Sequence, residues 1–337
     1  MLKLKMKKIN YQILSFSLVF FLISCSKPAG DEIFTVVIPS GAGLSQITKI
    51  LHSEKVISFP KIFWLRAKLT GKEKDLKAGE YQMQKGMSHD QVLHLLITGE
   101  VIRYRVTIPE GLTFVEIAKI FGETNLINEK DFLKLAKDSL FMQELQIPAK
   151  TIEGFLFPST YFISRNQTPR SLIFEMVQNF NEVYTPTLNQ RAKEMGFSKL
   201  QTVILASIIE KETGQPQERP LISSVFHNRL KKNMKLQTDP TVIYGITNFN
   251  GNITKKDLLT PTPYNTYVIR GLPPGPIANP GKEAILASLY PEDTKYLYFV
   301  SKNDGSHVFS STLKDHNLAV DHYQKRIRQT LREKRIK

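Results

Sequence analysis

The stretch QTVILASIIEKETG, residues 201–214, is almost entirely apolar as far as Glu210 and then becomes polar. A run of this length and composition predicts a buried helix that ends at Gly214. On such a helix Ala206 and Glu210 share a face, so the Glu210 carboxyl points inward while Glu212 projects elsewhere. An acid that continues a core-facing stripe is uncommon. Glu210 is therefore the leading candidate for chemistry.

The inward-facing carboxyl of Glu210 has two interpretations. Partial burial and the negative end of the helix dipole both favour its protonated form, which is the form that a general acid needs. Alternatively, Glu210 forms an ordinary ion pair with Lys211, Arg219 or Arg229. The sequence pattern alone leaves both interpretations open.

Upstream of this helix, one local pattern occurs twice. Residues 35–41 (TVVIPSG) lead into an amphipathic stretch that ends at Leu51, and residues 106–111 (VTIPEG) lead into another that ends at Phe121. Each pattern predicts a strand, a turn and a helix whose apolar residues share a face. Small strand-helix units of this kind resemble LysM-type glycan-binding modules. We therefore predict a LysM-like repeated βα region over residues 31–125.

The rest of the chain predicts an α+β fold, in which the small βα subdomains precede a mixed α+β catalytic domain at 126–323. Turn and capping signals define most of its elements. The further predicted elements are a helix at 88–97 capped by Ser88, a helix-rich segment at 129–195 interrupted by an aromatic loop at 153–161, a helix at 280–290, and a hairpin with strands at 296–300 and 307–310.

The first 30 residues predict export and membrane attachment. Lysines at positions 3, 5, 7 and 8 precede an uncharged apolar run at 11–24, the pattern of an export signal. This run is short for a bilayer crossing, which usually takes about 20 residues. Either the segment stays as an uncleaved signal-anchor, or it is cleaved before Cys25, because Leu22-Ile23-Ser24-Cys25 resembles a bacterial lipobox. We favour the lipid anchor.

Composition and motifs exclude several other functions. The net charge of +15 is concentrated at the two ends, including a basic tail at 324–337. Such ends indicate contact with anionic lipid or peptidoglycan, and we predict no nucleic-acid binding. The seven histidines show no HExxH or His-Cys spacing, and neither a GxSxG elbow nor a glycine-rich phosphate loop occurs. We therefore predict no metal and no organic cofactor.

Several ordered blocks of the sequence resemble the YceG-like family of endolytic murein transglycosylases. The resemblance extends from about Phe34 to Tyr323, a span too long and too ordered for a chance match. The blocks are LASIIEKET (205–213), SVFHNRL (224–230), LQTDPTVIYG (236–245), TPYNTY (262–267) and GLPPGPI (271–277).

The resemblance implies a peptidoglycan lytic transglycosylase on the cytoplasmic membrane, with its catalytic domain on the periplasmic side. Such an enzyme cleaves nascent glycan strands internally, limits their elongation and acts beside peptidoglycan synthases. The resemblance also implies that Glu210 is the catalytic residue. This chain departs from the family pattern in two places. Many members carry Asp at the position of Ser159. A plain membrane helix is common in the family where this chain has the lipobox that ends at Cys25.

One carboxyl suffices for this chemistry because the substrate brings its own nucleophile. After Glu210 protonates the leaving oxygen, the C6 hydroxyl of the muramic sugar attacks its own anomeric carbon, and the product is a 1,6-anhydro sugar. Hydrolysis would need a second carboxylate about 5 to 10 Å away. Asp239 directly precedes Pro240, so we expect it to cap a helix rather than to act as that second carboxylate. Glu212 and Glu218 lie in a polar turn where solvated side chains are expected.

Aromatic and polar side chains of the matching blocks suit a sugar groove. Tyrosine rings stack on pyranose faces, and amide or imidazole groups bond hydroxyl or acetamido groups, although core packing or turn support is an equally good interpretation. A non-catalytic protein that binds glycan through its repeats is the alternative to the lyase. The predicted substrate-binding residues are Gln237, Asp239, Tyr244, Asn265, Tyr267 and His307.

Overall fold

The computed structural model describes residues 32–326, with the backbone alone at positions 325 and 326. The predicted export segment with Cys25, and most of the predicted basic tail, lie outside the described residues. No helix within the described range has the length and apolar character needed to cross a bilayer. Membrane attachment therefore stays a prediction.

The described chain divides into two compact units. The smaller comprises residues 32–104 and 164–166, and the larger comprises residues 105–163 and 167–326. The predicted LysM-like region at 31–125 contributes to both, because its first strand, turn and helix lie in the smaller unit and most of its second copy lies in the larger. The domain assignment itself stays a prediction.

A strand pair and three helices enclose the core of the smaller unit. The elements are β1 (Ile33–Ile38), α1 (Leu44–Ser53), α2 (Pro60–Leu69), β2 (Gly79–Gln84) and α3 (His89–Thr98). β1 and β2 are antiparallel, with Val36 opposite Tyr81. α3 begins and ends as predicted, because Ser88 forms a capping box with Gln91 and Gly99 adopts a left-handed conformation with φ 74°.

The larger unit is mainly helical and contains two further strand pairs. Its strands are β3 (Tyr104–Thr107), which pairs with β4 (Thr160–Ile163), and β5 (Tyr298–Ser301), which forms the predicted antiparallel hairpin with β6 (His307–Ser310). Its helices are α4 (Phe114–Glu123), α5 (Glu129–Leu135), α6 (Ser139–Glu144), α7 (Pro169–Val183), α8 (Pro186–Glu194), α9 (Lys199–Glu212), α10 (Arg219–Lys231), α11 (Asp239–Tyr244), α12 (Lys255–Leu259), α13 (Lys282–Leu289) and α14 (Leu313–Val320), with a 3₁₀ turn at Pro216–Glu218 and a π-helical turn at Asp321–Arg326. Small separate sheets among many helices confirm the predicted α+β class.

Helix α9, which contains Glu210, lies in the core of the larger unit. Every side chain from Thr202 to Ile209 is buried, and the helix packs against α8, α10 and α13. A helix that is apolar on all sides needs neighbours on all sides, and each large aliphatic side chain buried there contributes about 1.5–3 kcal/mol. The predicted buried helix is confirmed, and the end that carries Glu210 is firmly held.

The aromatic loop at 153–161 closes this core. Phe155 and Leu156 have no exposed surface, and Phe155 meets Phe180 edge to face with 5.2 Å between ring centroids. Gly154 has φ +87°, and a side chain there would lie 2.6 Å from atoms of Pro276 and Val203. The loop therefore packs in the core.

Candidate active site

Glu210 lies in the last turn of α9. Its side chain is 6% exposed, so the carboxyl faces inward as the helical pattern predicts. Oε1 accepts a hydrogen bond from Nη2 of Arg219 at 3.0 Å, and Oε2 accepts one from the backbone N–H of Gly281 at 2.9 Å. Gly281 is the N-cap of α13, so the positive end of that helix dipole also lies beside the carboxyl.

Arg219 makes the ion pair that the sequence offered as the alternative interpretation of Glu210. The guanidinium side chain is only 9% exposed, so water screens this pair weakly. Both the ion pair and the Gly281 N–H hold the carboxyl in place. A general acid must also carry a proton in this position. The chemistry of the site therefore depends on what else competes for Arg219.

Glu110 is a second carboxyl at the same arginine. It lies in the turn before α4, and its Oε2 is 3.5 Å from Nη2 of Arg219. Burial raises the pKa of Glu110, the negative charge of Glu210 raises it further, and Arg219 lowers it in part. Two acids thus share one guanidinium, so protonation of one carboxyl is coupled to the charge of the other.

Sequence reasoning missed Glu110. In the repeated strand-turn-helix pattern, the turn of the first copy is PSG at 39–41, and the turn of the second copy, which contains Glu110, is PEG at 109–111. The one available signal is that an acid replaces Ser40 in the second copy. Its meaning depends on the tertiary structure, because Glu110 and Arg219 are separated by 109 positions.

Two neighbouring cavities border on Glu212. The smaller, of about 250 Å³, is lined by Glu110, Glu210 and Arg219 as well as by Glu212. The larger, of about 460 Å³, is lined by Glu212 and by four of the six predicted substrate-binding residues, which are Gln237, Asp239, Tyr267 and His307. The structure therefore brings the acid pair and most of the predicted binding residues close together.

The prediction that Glu212 and Glu218 are solvated is wrong. Glu212 accepts a hydrogen bond from the Thr238 hydroxyl, and burial raises its pKa to about 7 despite that bond. Glu218, with a side chain 14% exposed, accepts a bond from the backbone N–H of His307 at 2.8 Å and pairs with its Nδ1 at 2.6 Å. The β5–β6 hairpin covers this polar turn, which the local sequence does not reveal.

The prediction that Asp239 caps a helix is also wrong. α11 begins at Asp239, with Thr238 at the N-cap position and no side-chain cap bond. The Asp239 carboxylate instead accepts a hydrogen bond from the Tyr267 hydroxyl at 2.6 Å. Burial and then this bond raise the pKa of Tyr267. The two side chains form a fixed polar pair in the wall of the larger cavity.

The other two predicted binding residues, Tyr244 and Asn265, are not among those that line the two cavities. Asn265 is fully buried, and its amide donates to three backbone carbonyls at the C-terminal end of α12, those of Asp257, Leu258 and Thr260, at 2.7–3.2 Å. Tyr244 packs against Tyr264, with 4.8 Å between ring centroids. In this structure both side chains hold segments of the framework.

Tyr244 also belongs to a buried network centred on Glu153, which is 1% exposed. Oε2 of Glu153 accepts a hydrogen bond from the Tyr244 hydroxyl at 3.1 Å. Oε1 accepts from the backbone N–H of Phe114 at 3.0 Å and from the Asn279 amide at 2.8 Å. Burial, the largest cause, raises the pKa of Glu153 to about 8.

Asn279 connects that network to the candidate acids. Its backbone N–H and side-chain amide both donate to the carbonyl of Leu112, at 2.8 and 2.9 Å, and its own carbonyl accepts from the N–H of Gly111. Gly111 directly follows Glu110, and Gly281 lies two positions after Asn279. One buried asparagine therefore positions both the Glu110 turn and the N–H donor of Glu210.

Within residues 32–326, no three His, Cys, Asp or Glu side chains are grouped closely enough to hold a metal ion. The described residues do place several carboxyls beside Arg219, and carboxyls in such a cavity can transfer protons.

Comparison with known proteins identifies relatives along almost the whole chain. A family model described as the YceG-like family matches residues 36–322. An endolytic murein transglycosylase of Bacillus subtilis (strain 168) is 36% identical over 302 residues, which cover 85% of this chain and 83% of that protein. One of Streptococcus pneumoniae serotype 2 (strain D39) is 31% identical over 319 residues, and the match covers 85% of this chain but only 57% of the streptococcal protein.

Among solved structures, the crystal structure of a putative YceG-like protein from Listeria monocytogenes is similar to this chain. It is 35% identical, with a TM-score of 0.59, and the match covers 86% of this chain and 99% of that one. The similarity therefore extends to the fold as well as to the sequence blocks.

Proposed function

We infer that this chain, which belongs to the YceG-like family, is an endolytic peptidoglycan lytic transglycosylase. The names of the Bacillus and Streptococcus relatives support this activity. The observation that carries the proposal is the setting of Glu210, a nearly buried carboxyl in a cavity wall, held by an arginine and a backbone N–H. Its substrate is the β-1,4 bond between MurNAc and GlcNAc in nascent strands, and cleavage limits their elongation.

In the proposed reaction Glu210 acts first as acid and then as base. Its proton passes to the oxygen that links the muramic C1 to the next sugar, and the C1–O bond breaks. The C6 hydroxyl of the same muramic sugar bonds to C1 and returns its proton to Glu210. The products are a 1,6-anhydro end and a free hydroxyl on the leaving sugar, and no water is consumed.

Arg219 and Glu110 are the proposed partners of Glu210 in this proton transfer. Both carboxyls contact the same Nη2 of Arg219. Burial and the negative charge of Glu210 raise the pKa of Glu110, so the acid pair can share a proton as well as the arginine. Once the proton has left, Arg219 stabilises the carboxylate that must act as the base.

The larger cavity is the proposed sugar site. Gln237, Asp239, Tyr267 and His307 present amide, carboxylate, phenol and imidazole groups to it, a set that suits hydroxyl and acetamido groups. The Asp239–Tyr267 bond and the Glu218–His307 pair fix these groups before substrate arrives, which lowers the entropic cost of binding. Tyr244 and Asn265 support the site through the framework contacts described above.

Hydrolysis is a second candidate, because the structure places further carboxyls beside Glu210. Glu110 and Glu212 line the same cavity as Glu210, and a glycosidase needs a second carboxylate at short range to activate water or act as nucleophile. Mass spectrometry of the digest separates the two reactions, because hydrolysis leaves a reducing end heavier by one water than the anhydro end. A digest dominated by reducing ends would overturn the lyase assignment.

The location and partners of the protein follow from the sequence and belong to the same proposal. We place the chain on the cytoplasmic membrane through its first 30 residues, with Cys25 as the lipidation site, and the catalytic domain on the periplasmic side. The region at 31–125 is the proposed LysM-like glycan-binding part, and synthases that make nascent strands are the expected neighbours.

Replacement of Glu210 by Gln is the direct test. Glu210→Gln keeps the shape of the side chain and its acceptor oxygen but removes the transferable proton, so we expect release of 1,6-anhydro ends to fall at least about a hundredfold. The matched control is Glu194→Gln, because Glu194 lies on α8 with a side chain 52% exposed. If a folded Glu210→Gln variant cleaves like the wild type, Glu210 is not the acid. If the wild type binds peptidoglycan without cleaving it, the non-catalytic alternative is correct.

A further inference from the structure

Helix α2 in the smaller unit carries apolar side chains on two opposite faces. Phe63 and Ala67 are fully buried and hold the helix on its core. Ile62, Leu65 and Leu69 follow the three-and-four spacing of a second face, and they are 48%, 51% and 78% exposed. The side chains of this second face are therefore about half exposed or more.

Two aromatic residues extend this exposed face. Phe59, at the N-cap of α2, is 48% exposed and Trp64 is 38% exposed. We call Phe59, Ile62, Trp64, Leu65 and Leu69 the α2 face. Within residues 32–326, five of the sixteen large apolar side chains that are exposed lie in this stretch of eleven residues. Such concentration marks a binding surface, since scattered exposed apolar residues are the ordinary case.

The surroundings of the α2 face are basic. Residues 59–77 contain six Lys and Arg residues against two acids. Three of these cations form ion pairs, Arg66 with Asp90 at 2.9 Å, Lys68 with Glu73, and Lys72 with Asp75 at 3.5 Å, but the excess remains positive. The Lys68 ammonium lies 5.5 Å from the centre of the Trp64 ring. Aromatic and aliphatic side chains flanked by lysines are the combination that binds the interface of an anionic bilayer.

The smaller unit also lies close to the predicted anchor in sequence. Cys25, the proposed lipidation site, lies eight positions before the start of β1 at Ile33. A chain of eight residues spans at most about 30 Å. A surface on so short a tether meets the bilayer at a high effective concentration, so even weak contacts hold it there.

We propose that the α2 face docks on the surface of the anionic lipid bilayer to which the chain is attached, an inference that rests on the proposed membrane anchor. The apolar side chains enter the boundary between headgroups and acyl chains, and the lysines contact the lipid phosphates. The smaller unit is then held flat at the membrane, where nascent glycan strands emerge.

Trp64 provides a direct test because it is the only tryptophan in the sequence. The full chain is reconstituted into vesicles of phosphatidylcholine and phosphatidylglycerol, with or without bromine on the acyl chains. We expect the Trp64 emission to shift to the blue and to be quenched by the bromolipid, more strongly with phosphatidylglycerol than without it and less strongly at high salt. The anchor contains no tryptophan, so its insertion contributes nothing to this signal.

A pair of double variants shows whether the α2 face is responsible. Leu65→Glu with Leu69→Glu should abolish the bromolipid quenching of Trp64. Leu140→Glu with Leu259→Glu, at sites 74% and 77% exposed in the larger unit, should leave it unchanged. Circular dichroism confirms that each variant is folded.

Three results would overturn the proposal. The first is absence of quenching in chains that float with the vesicles, and the second is quenching that survives Leu65→Glu with Leu69→Glu. The third is a Trp64 shift caused by soluble chito-oligosaccharides without any lipid quenching, which would make the α2 face a glycan surface. Release of 1,6-anhydro ends from soluble peptidoglycan by the same preparations, and flotation itself, test the proposed activity and the anchor separately.

Discussion

Replacing Glu153 by Gln should remove a pH-dependent loss of stability that burial imposes on the wild-type protein. In the unfolded chain this carboxyl has its ordinary pKa of 4.5, whereas burial raises the pKa to about 8 in the folded protein. Because the folded state binds the proton more tightly, the stabilising contribution is complete below pH 4.5. It is lost as the pH rises through about 8.

The size of the effect follows from the two pKa values. Between 4.5 and about 8, each pH unit lowers the free energy of unfolding by about 1.4 kcal/mol, which amounts to about 5 kcal/mol over the interval. Gln avoids this loss because it has no proton to lose. Its oxygen can accept the bonds from Phe114 and Asn279, and its amide can donate to the Tyr244 hydroxyl, so we expect a cost of at most about 1 kcal/mol at low pH.

Urea unfolding at several pH values from 5 to 8 gives the free energy of unfolding of each protein and so tests the prediction. Glu212, whose pKa is raised to about 7, also makes the wild type less stable at higher pH, so the informative quantity is the difference between the two proteins. That difference should change steadily in favour of Glu153→Gln as the pH rises. Glu194→Gln, at an exposed position, should run parallel to the wild type. A Glu153→Gln curve that is also parallel would refute the claim that burial keeps this carboxyl protonated.

Two glycines give contrasting predictions. Gly154→Ala should lower the free energy of unfolding by about 2–4 kcal/mol, because φ is +87° and the added methyl would lie 2.6 Å from Pro276 and Val203; a loss below about 1 kcal/mol in urea unfolding would contradict this close packing. Gly281→Ala should change stability by less than about 1 kcal/mol, because the three atoms nearest the added methyl all belong to the flexible Glu110 carboxyl. Displacing that carboxyl from Arg219 breaks up the pair of acids that share this arginine, so we expect Gly281→Ala and Glu110→Gln to lower lyase activity near neutral pH while substrate binding is kept. If both variants retain the wild-type dependence of activity on pH, Glu110 has no part in the reaction.

Local signals predicted the elements that short segments determine by themselves. The capping box of Ser88 and the left-handed Gly99 delimit α3, and the β5–β6 hairpin forms where the turn residues place it. The buried face of α9 also follows from spacing alone, since residues three and four apart share one side of a helix. The inward direction of Glu210 was predictable for the same reason.

The errors concern side chains whose partners are distant in sequence. Glu218 and His307 are 89 positions apart, and Asp239 and Tyr267 are 28 apart. From the local sequence, a polar turn is expected to be solvated and an acid before proline is expected to cap a helix. Both expectations fail where a hairpin or loop that is distant in sequence packs against the site. A polar side chain that is buried in this way forms hydrogen bonds with the groups that the fold brings next to it.

By itself, the sequence determined the α+β class, the main helices and the inward direction of Glu210, because helical periodicity and turn chemistry act over a few residues. Only the tertiary structure decided that Glu110 shares Arg219 with Glu210 and that Glu212 lies in a cavity wall. It also decided that Asn279 positions the two loops that meet there. Charges and hydrogen bonds act across a few ångströms of space, and the fold alone determines which distant residues come that close.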